Sequence, residues 1–153
     1  MKRHSLRNCS LIFLALLLML AFTIPTLAEG GGQSEEKEVT VNGYTYNFWS
    51  YIYAGVIYNT PYANAGTAIR APKQTVPAGW MYSQSKLYTN AGSLKATSTA
   101  NTNSSAGYYL NSDTASLKPA DSDTLYYGIG TAGFWNGTDY LYYTTYKTPS
   151  FKP

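Results

Sequence analysis

The stretch Thr124-Leu125-Tyr126-Tyr127-Gly128-Ile129-Gly130-Thr131-Ala132-Gly133-Phe134-Trp135-Asn136-Gly137-Thr138-Asp139-Tyr140-Leu141-Tyr142-Tyr143-Thr144-Thr145-Tyr146 decides the fold class. Two runs rich in Tyr and Thr, residues that suit a pleated surface, flank Asn136-Gly137, a pair that readily adopts left-handed backbone. No apolar stripe at helical spacing crosses either run. The stretch reads as a β-hairpin with strands over Thr124–Trp135 and Asp139–Tyr146.

The same signals recur upstream. Val39-Thr40-Val41 and Tyr44-Thr45-Tyr46-Asn47-Phe48 alternate about Asn42-Gly43. Trp80–Tyr88 and Ser93–Thr99 flank Asn90-Ala91-Gly92, a three-residue loop with Gly at the left-handed position. Ser50–Tyr58 is nearly all apolar or aromatic and reads as a strand buried on both faces, while Thr67–Ala71 and Tyr108–Leu110 are short strands. The expected architecture is all-β: a single antiparallel β-sandwich, jelly-roll or immunoglobulin-like, over residues 39–153. Three doublets, Tyr108-Tyr109, Tyr126-Tyr127 and Tyr142-Tyr143, should each send one ring to the core and one outward, because neighbouring strand residues face opposite ways.

The 153 residues carry a formal charge of +3, with one Cys and one His. Residues 1–28 read as a secretory signal peptide. A basic start (Lys2, Arg3, Arg7) precedes an apolar run from Leu11 to about Ile24, and Thr26-Leu27-Ala28 offers small residues for cleavage. Pro25 stops the run short of a membrane span. Cleavage would remove Cys9 and His4 and leave a neutral product holding all 16 Tyr. The exported chain then has no disulfide, no thiolate nucleophile, no imidazole base and no Cys/His zinc site. The expected location is extracellular, and the product is expected to be a monomer. Residues 29–38 hold no apolar side chain and read as a flexible acidic linker. Beyond them the net charge returns to +3, too little for a nucleic-acid footprint.

Ser83-Gln84-Ser85-Lys86 matches the S-x-x-K nucleophile signature of penicillin-recognising enzymes, but it lies in a strand pattern where that motif opens a helix. The acids beyond the linker, Asp113, Asp121, Asp123 and Asp139, sit in no apolar run that would raise a carboxyl pKa for glycoside hydrolysis. No enzyme activity and no cofactor are expected. A Ca²⁺ site using Asp113, Asp121 and Asp123 is the one metal arrangement these residues offer.

Val76-Pro77-Ala78-Gly79-Trp80-Met81, Lys86-Leu87-Tyr88 with Asn90-Ala91-Gly92-Ser93-Leu94, and Phe134-Trp135-Asn136-Gly137 before a Tyr-rich strand resemble small secreted YolA-like proteins of Bacillus-type Gram-positive bacteria. The resemblance implies Gram-positive secretion and an all-β domain, and carries over no site residue.

The aromatic surplus is the remaining functional signal. Exposed rings stack on sugar faces, and exposed apolar patches mark binding sites. The expected function is non-enzymatic binding of a cell-wall or other extracellular glycan through Trp80, Tyr82, Tyr127, Trp135, Tyr140 and Tyr142. The alternative is a bacteriocin- or toxin-like protein acting at a membrane surface, where Tyr and Trp also concentrate.

Overall fold

The computed structural model describes residues 30–153, and the expected signal peptide lies outside the described residues. These residues form β1 (Gly30–Gln33), β2 (Lys37–Val41), β3 (Tyr44–Ile57), β4 (Thr60–Arg70), β5 (Met81–Thr89), β6 (Leu94–Thr97), β7 (Asn101–Thr102), β8 (Tyr109–Asn111), β9 (Ala115–Leu117), β10 (Tyr126–Trp135) and β11 (Tyr140–Thr144). The first sheet has the order β1-β3-β4-β8, with β2 also on β3 and β9 also on β4. The second has the order β11-β10-β5-β6, with β7 also on β5. Both are antiparallel, and they pack face to face as the expected β-sandwich.

Turn chemistry sets the strand lengths. Asn42 (φ 50°) and Gly43 (φ 79°) close the β2–β3 hairpin as a tight two-residue turn. The β10–β11 loop is wider, because Trp135 pairs with Tyr140. There Asn136 Oδ1 accepts from the amides of Thr138 (2.8 Å) and Asp139 (2.9 Å), so the side chain organises the loop. The third turn, Tyr58 (φ 49°) and Asn59 (φ 59°), carries no Gly and joins Ile57 to Thr60 in register. It corrects the short strand expected at Thr67–Ala71, because β3 and β4 form one long hairpin, whereas the strand expected at Tyr108–Leu110 is short, as β8. Nor is Ser50–Tyr58 buried on both faces. Ser50, Ile52 and Ala54 point inward and are buried, whereas Tyr51 and Tyr53 point out.

Inward positions repeat one pattern in all four central strands, apolar at both ends and small in the middle, the middle being hydroxylated in the first three: Phe48-Ser50-Ile52, Ile69-Thr67-Ala65, Met81-Ser83-Ser85-Leu87, and Phe134-Ala132-Gly130-Gly128-Tyr126. The apolar ends build two separate clusters. One holds Tyr46, Phe48, Ile69, Met81 and Phe134, and the other Ile52, Ala65, Leu87 and Tyr126. Between them lies a waist of buried hydroxyls. Ser50 Oγ pairs with Thr145 Oγ1 at 2.7 Å, Thr67 Oγ1 with Ser85 Oγ at 2.9 Å, and Ser85 Oγ with Ser112 Oγ. Short side chains let the sheets close here, and mutual hydrogen bonding offsets much of the cost of burying them.

Within the flexible linker expected over residues 29–38, Gly30–Gln33 and the pair Lys37 and Glu38 are instead strand, in β1 and β2. Gly30-Gly31-Gly32 is a strand antiparallel to Ala54-Tyr53-Ile52. The absence of side chains is what admits it. A Cβ on Gly30 or Gly32 would meet the Phe151 ring at 2.6 and 2.9 Å, and one on Gly31 would meet Tyr53 at 2.7 Å. Phe151 is itself fixed to β10, exchanging hydrogen bonds with Tyr126 at 2.8 and 2.9 Å. One ring from the C-terminal tail therefore clamps a glycine strand of the opposite sheet. The double variant Gly30→Ala/Gly32→Ala should detach β1 and cost about 1–2 kcal/mol. Faster amide exchange in β1 with β4 unchanged is the expected reading, and unaltered exchange in β1 would contradict the clamp.

Tyr46 is fully buried against Phe134, ring centroids 4.1 Å apart, and its hydroxyl finds no hydrogen-bond partner. Burial, with a smaller contribution from Tyr44, pushes its pKa from 10.0 up to about 12. A raised pKa means that the unfolded chain loses this proton first. Stability is thus intact below pH 10 and falls as pH rises from 10 through 12. Tyr46→Phe should remove that part of the alkaline loss, about 2 kcal/mol, and be neutral or mildly stabilising at neutral pH. Denaturant midpoints of both proteins across this pH range check it.

Candidate functional site

The outer face of the first sheet is built by alternation along β3. With Phe48, Ser50 and Ile52 turned inward, Trp49, Tyr51 and Tyr53 must project outward as one row. Strand β8 adds Tyr109 and Asn111 through the pairs Arg70–Tyr109 and Ala68–Asn111, and β1 adds Gln33 opposite Tyr51. These six side chains line an open groove of about 350 Å³. Tyr51 and Tyr53 ring centroids lie 5.7 Å apart, and Trp49 and Tyr109 6.3 Å apart. Tyr51 lies across Gly66, where any Cβ would strike its ring at 2.0 Å. Burial, then the neighbouring phenols of Tyr109 and Tyr53, raises the Tyr51 pKa.

One rim of this groove is polar and charged. Arg70 stands over Trp49 at 5.8 Å and pairs with Glu36 at 3.3 Å, while Asn47 donates to the same carboxylate at 2.9 Å. The pair is solvent-exposed, so it orders the Trp49 side of the groove more than it stabilises the fold. None of the six groove-lining side chains is charged.

The outer face of the second sheet gathers five of the six aromatic residues expected to bind. Tyr82 packs 6.0 Å from Tyr140 and 5.3 Å from Tyr142, Tyr140 lies 5.9 Å from Tyr142, and Trp135 5.5 Å from Tyr140. Gly133 makes room for this cluster, since a Cβ there would meet the Tyr142 ring at 2.9 Å and Tyr82 Cβ at 3.1 Å. The Tyr140 hydroxyl donates to the Gly79 carbonyl, and burial followed by Tyr142 raises the pKa of both Tyr140 and Tyr82. Tyr142 is 58 % exposed. Tyr127 stands apart on the same face, stacked on Tyr88 at 5.4 Å and 11° and only 9 % exposed. The rings thus form two groups, and the steep angles in the first (82° for Tyr82–Tyr142, 71° for Trp135–Tyr140) exclude a coplanar strip.

Trp80 does not join them. It packs against the first core cluster, 5.3 Å from Tyr44, edge to face. The doublets divide as well. Tyr143 turns toward the core while Tyr142 turns out, Tyr126 is buried while Tyr127 lies outward under its partners, and Tyr108 and Tyr109 are both exposed.

The aspartates are not assembled. Asp121 accepts from the Asp123 amide at 2.9 Å and the Thr124 hydroxyl at 2.8 Å, bonds that hold its carboxyl below its ordinary pKa. Asp123 pairs with Lys152 at 3.0 Å, and Asp113 accepts from Asn101 at 3.1 Å. Among the described residues no three acidic, His or Cys side chains stand close enough to share a metal ion. Ser83 and Lys86 of the S-x-x-K match lie on opposite faces of β5, the serine buried between the sheets.

Sequence reasoning missed Trp49, Tyr51, Tyr53 and Tyr109. The signal was present as Trp49-x-Tyr51-x-Tyr53, period two with small or aliphatic residues between. No family model matches the chain, and neither a curated protein nor a solved structure shows significant similarity to it.

Proposed function

We propose that the protein is an exported, non-enzymatic binding protein whose first-sheet groove holds a neutral cell-wall or other extracellular glycan. The observation that carries this reading is the convergence of four outward rings, Trp49, Tyr51, Tyr53 and Tyr109, with two amide side chains, Gln33 and Asn111, around one open groove. The C–H faces of a sugar ring are apolar and weakly positive, and they stack on the negative face of an aromatic ring. Amides supply both donors and acceptors for the hydroxyls at the sugar's rim. The lack of charge among the lining residues suits an uncharged ligand, and the openness of the groove suits a chain that extends beyond it. Export is supported by the basic and apolar opening of the sequence.

Adsorption of the protein to insoluble chitin, an uncharged polysaccharide, beside dye release from vesicles, tests the proposal. Saturable adsorption to a polysaccharide with no dye release is the expected result. Dye release without adsorption would replace this reading with the membrane-active one.

A further inference from the structure

The outer face of the second sheet has a different chemistry from the groove. Strands β5, β6, β7, β10 and β11 contain no Asp or Glu. Lys86 projects from the middle of this face, opposite Ile129 on one side and Thr97 on the other, and makes no ion pair among the described residues. Lys147 lies 3.9 Å over the Tyr127 ring and donates to Asn90 Oδ1 at 3.3 Å. Glu35 lines the cleft beside Lys147 without forming an ion pair with it. Lys95, on β6, acts instead on the Asp121 carboxylate. Along β5 the face runs from the Tyr82 cluster through Gln84 and Lys86 to the Tyr88–Tyr127 stack, about 20 Å at the usual rise of a strand.

We infer that this face binds an anionic polysaccharide laid along β5 and β10, with sugar rings on the two aromatic groups and acid substituents against Lys86 and Lys147. Charge complementarity selects the polyanion, and two ring clusters separated by a lysine select a polymer over a small ion. The polar middle of the face, Gln84, Thr131 and Thr144, argues against a lipid surface, because docking there would strip water from these groups without replacing their hydrogen bonds. The inference stands independently of the neutral-glycan groove. If both hold, the protein presents two ligand faces on opposite sides of the sandwich and can bridge two polymers.

Calorimetric titration with polygalacturonate tests it. Affinity should fall about tenfold as ionic strength rises from roughly 0.05 to 0.5 M, since screening lengths shrink across that range. At low salt Lys86→Gln should weaken binding about tenfold, the size of one lost charge-assisted contact. Trp49→Ala should leave it unchanged, which separates this face from the groove. Equal affinity of the parent and Lys86→Gln proteins would overturn the inference. So would inorganic polyphosphate binding as tightly as polygalacturonate, which would reduce the effect to charge alone, or binding only to phosphatidylglycerol vesicles.

Discussion

Gly130→Ala should destabilise the protein by about 3 kcal/mol, a large effect for one methyl group. Gly130 lies in the waist, directly against Thr67 of the opposite sheet. Its new Cβ would meet Thr67 Oγ1 at 1.9 Å, Cγ2 at 2.6 Å and Cβ at 2.8 Å. Rotating Thr67 cannot relieve this, because both branches and the branch point are all too close. The hydroxyl is also committed to Ser85 Oγ at 2.9 Å and Gln84 O at 3.3 Å. The backbone of one sheet must therefore move, pulling the hydroxyl belt apart. Thr67→Ala in the same chain removes the two shortest contacts and should recover part of the loss, so the pair will couple in a double-mutant cycle. A mild cost for Gly130→Ala, within about 0.5 kcal/mol, would mean that the sheets do not meet as closely as described.

Trp49→Ala should reduce adsorption to neutral polysaccharide at least tenfold while leaving the denaturation midpoint nearly unchanged. Trp49 stands on the outer face of β3, so its removal opens no cavity between the sheets. It supplies the largest ring in the groove, and large aromatic anchors at the centre of a binding surface typically contribute ~2 kcal/mol or more. Its removal also releases Arg70, which stands over the indole at 5.8 Å. Arg70→Gln is the control that separates these effects: it keeps the ring and should retain most of the adsorption. Loss of adsorption in Arg70→Gln but not in Trp49→Ala would transfer recognition from the ring to the cation.

Both outer faces follow from a period-two pattern, yet only one is legible in the sequence. On β5, β10 and β11, Tyr82, Trp135, Tyr140 and Tyr142 alternate with Ser83, Phe134, Leu141 and Tyr143, and Asn136-Gly137 sets the register of the last hairpin. On β3 the run Ser50–Tyr58 reads as uniformly apolar, because the rings of Tyr51 and Tyr53 are as apolar in sequence as Ile52 and Ala54. The small inward residues, Ser50 and Ala54, mark where the opposing sheet comes close, and that is a tertiary fact. The Tyr58-Asn59 turn was illegible for a similar reason. Neither residue is glycine, and only the pairing of β3 with β4 holds Tyr58 in left-handed backbone. Gly30-Gly31-Gly32 reads as linker by composition, and becomes a strand because Phe151, more than a hundred residues later, needs the space its side chains would fill. Trp80 misled in the other direction, since its position just before β5 let it turn into the end of the core.

The 3 Trp residues occupy three different environments: Trp49 in the first-sheet groove, Trp80 at the end of the core, and Trp135 in the second-sheet cluster. Their indole N–H resonances in a ¹⁵N-labelled sample report each environment separately. Titration with a soluble neutral chitin oligosaccharide should shift the Trp49 signal, assigned by its absence in Trp49→Ala, and leave those of Trp80 and Trp135 in place. A Trp49 signal that does not move, while the intact protein adsorbs to the parent polysaccharide, would contradict the groove as the binding site.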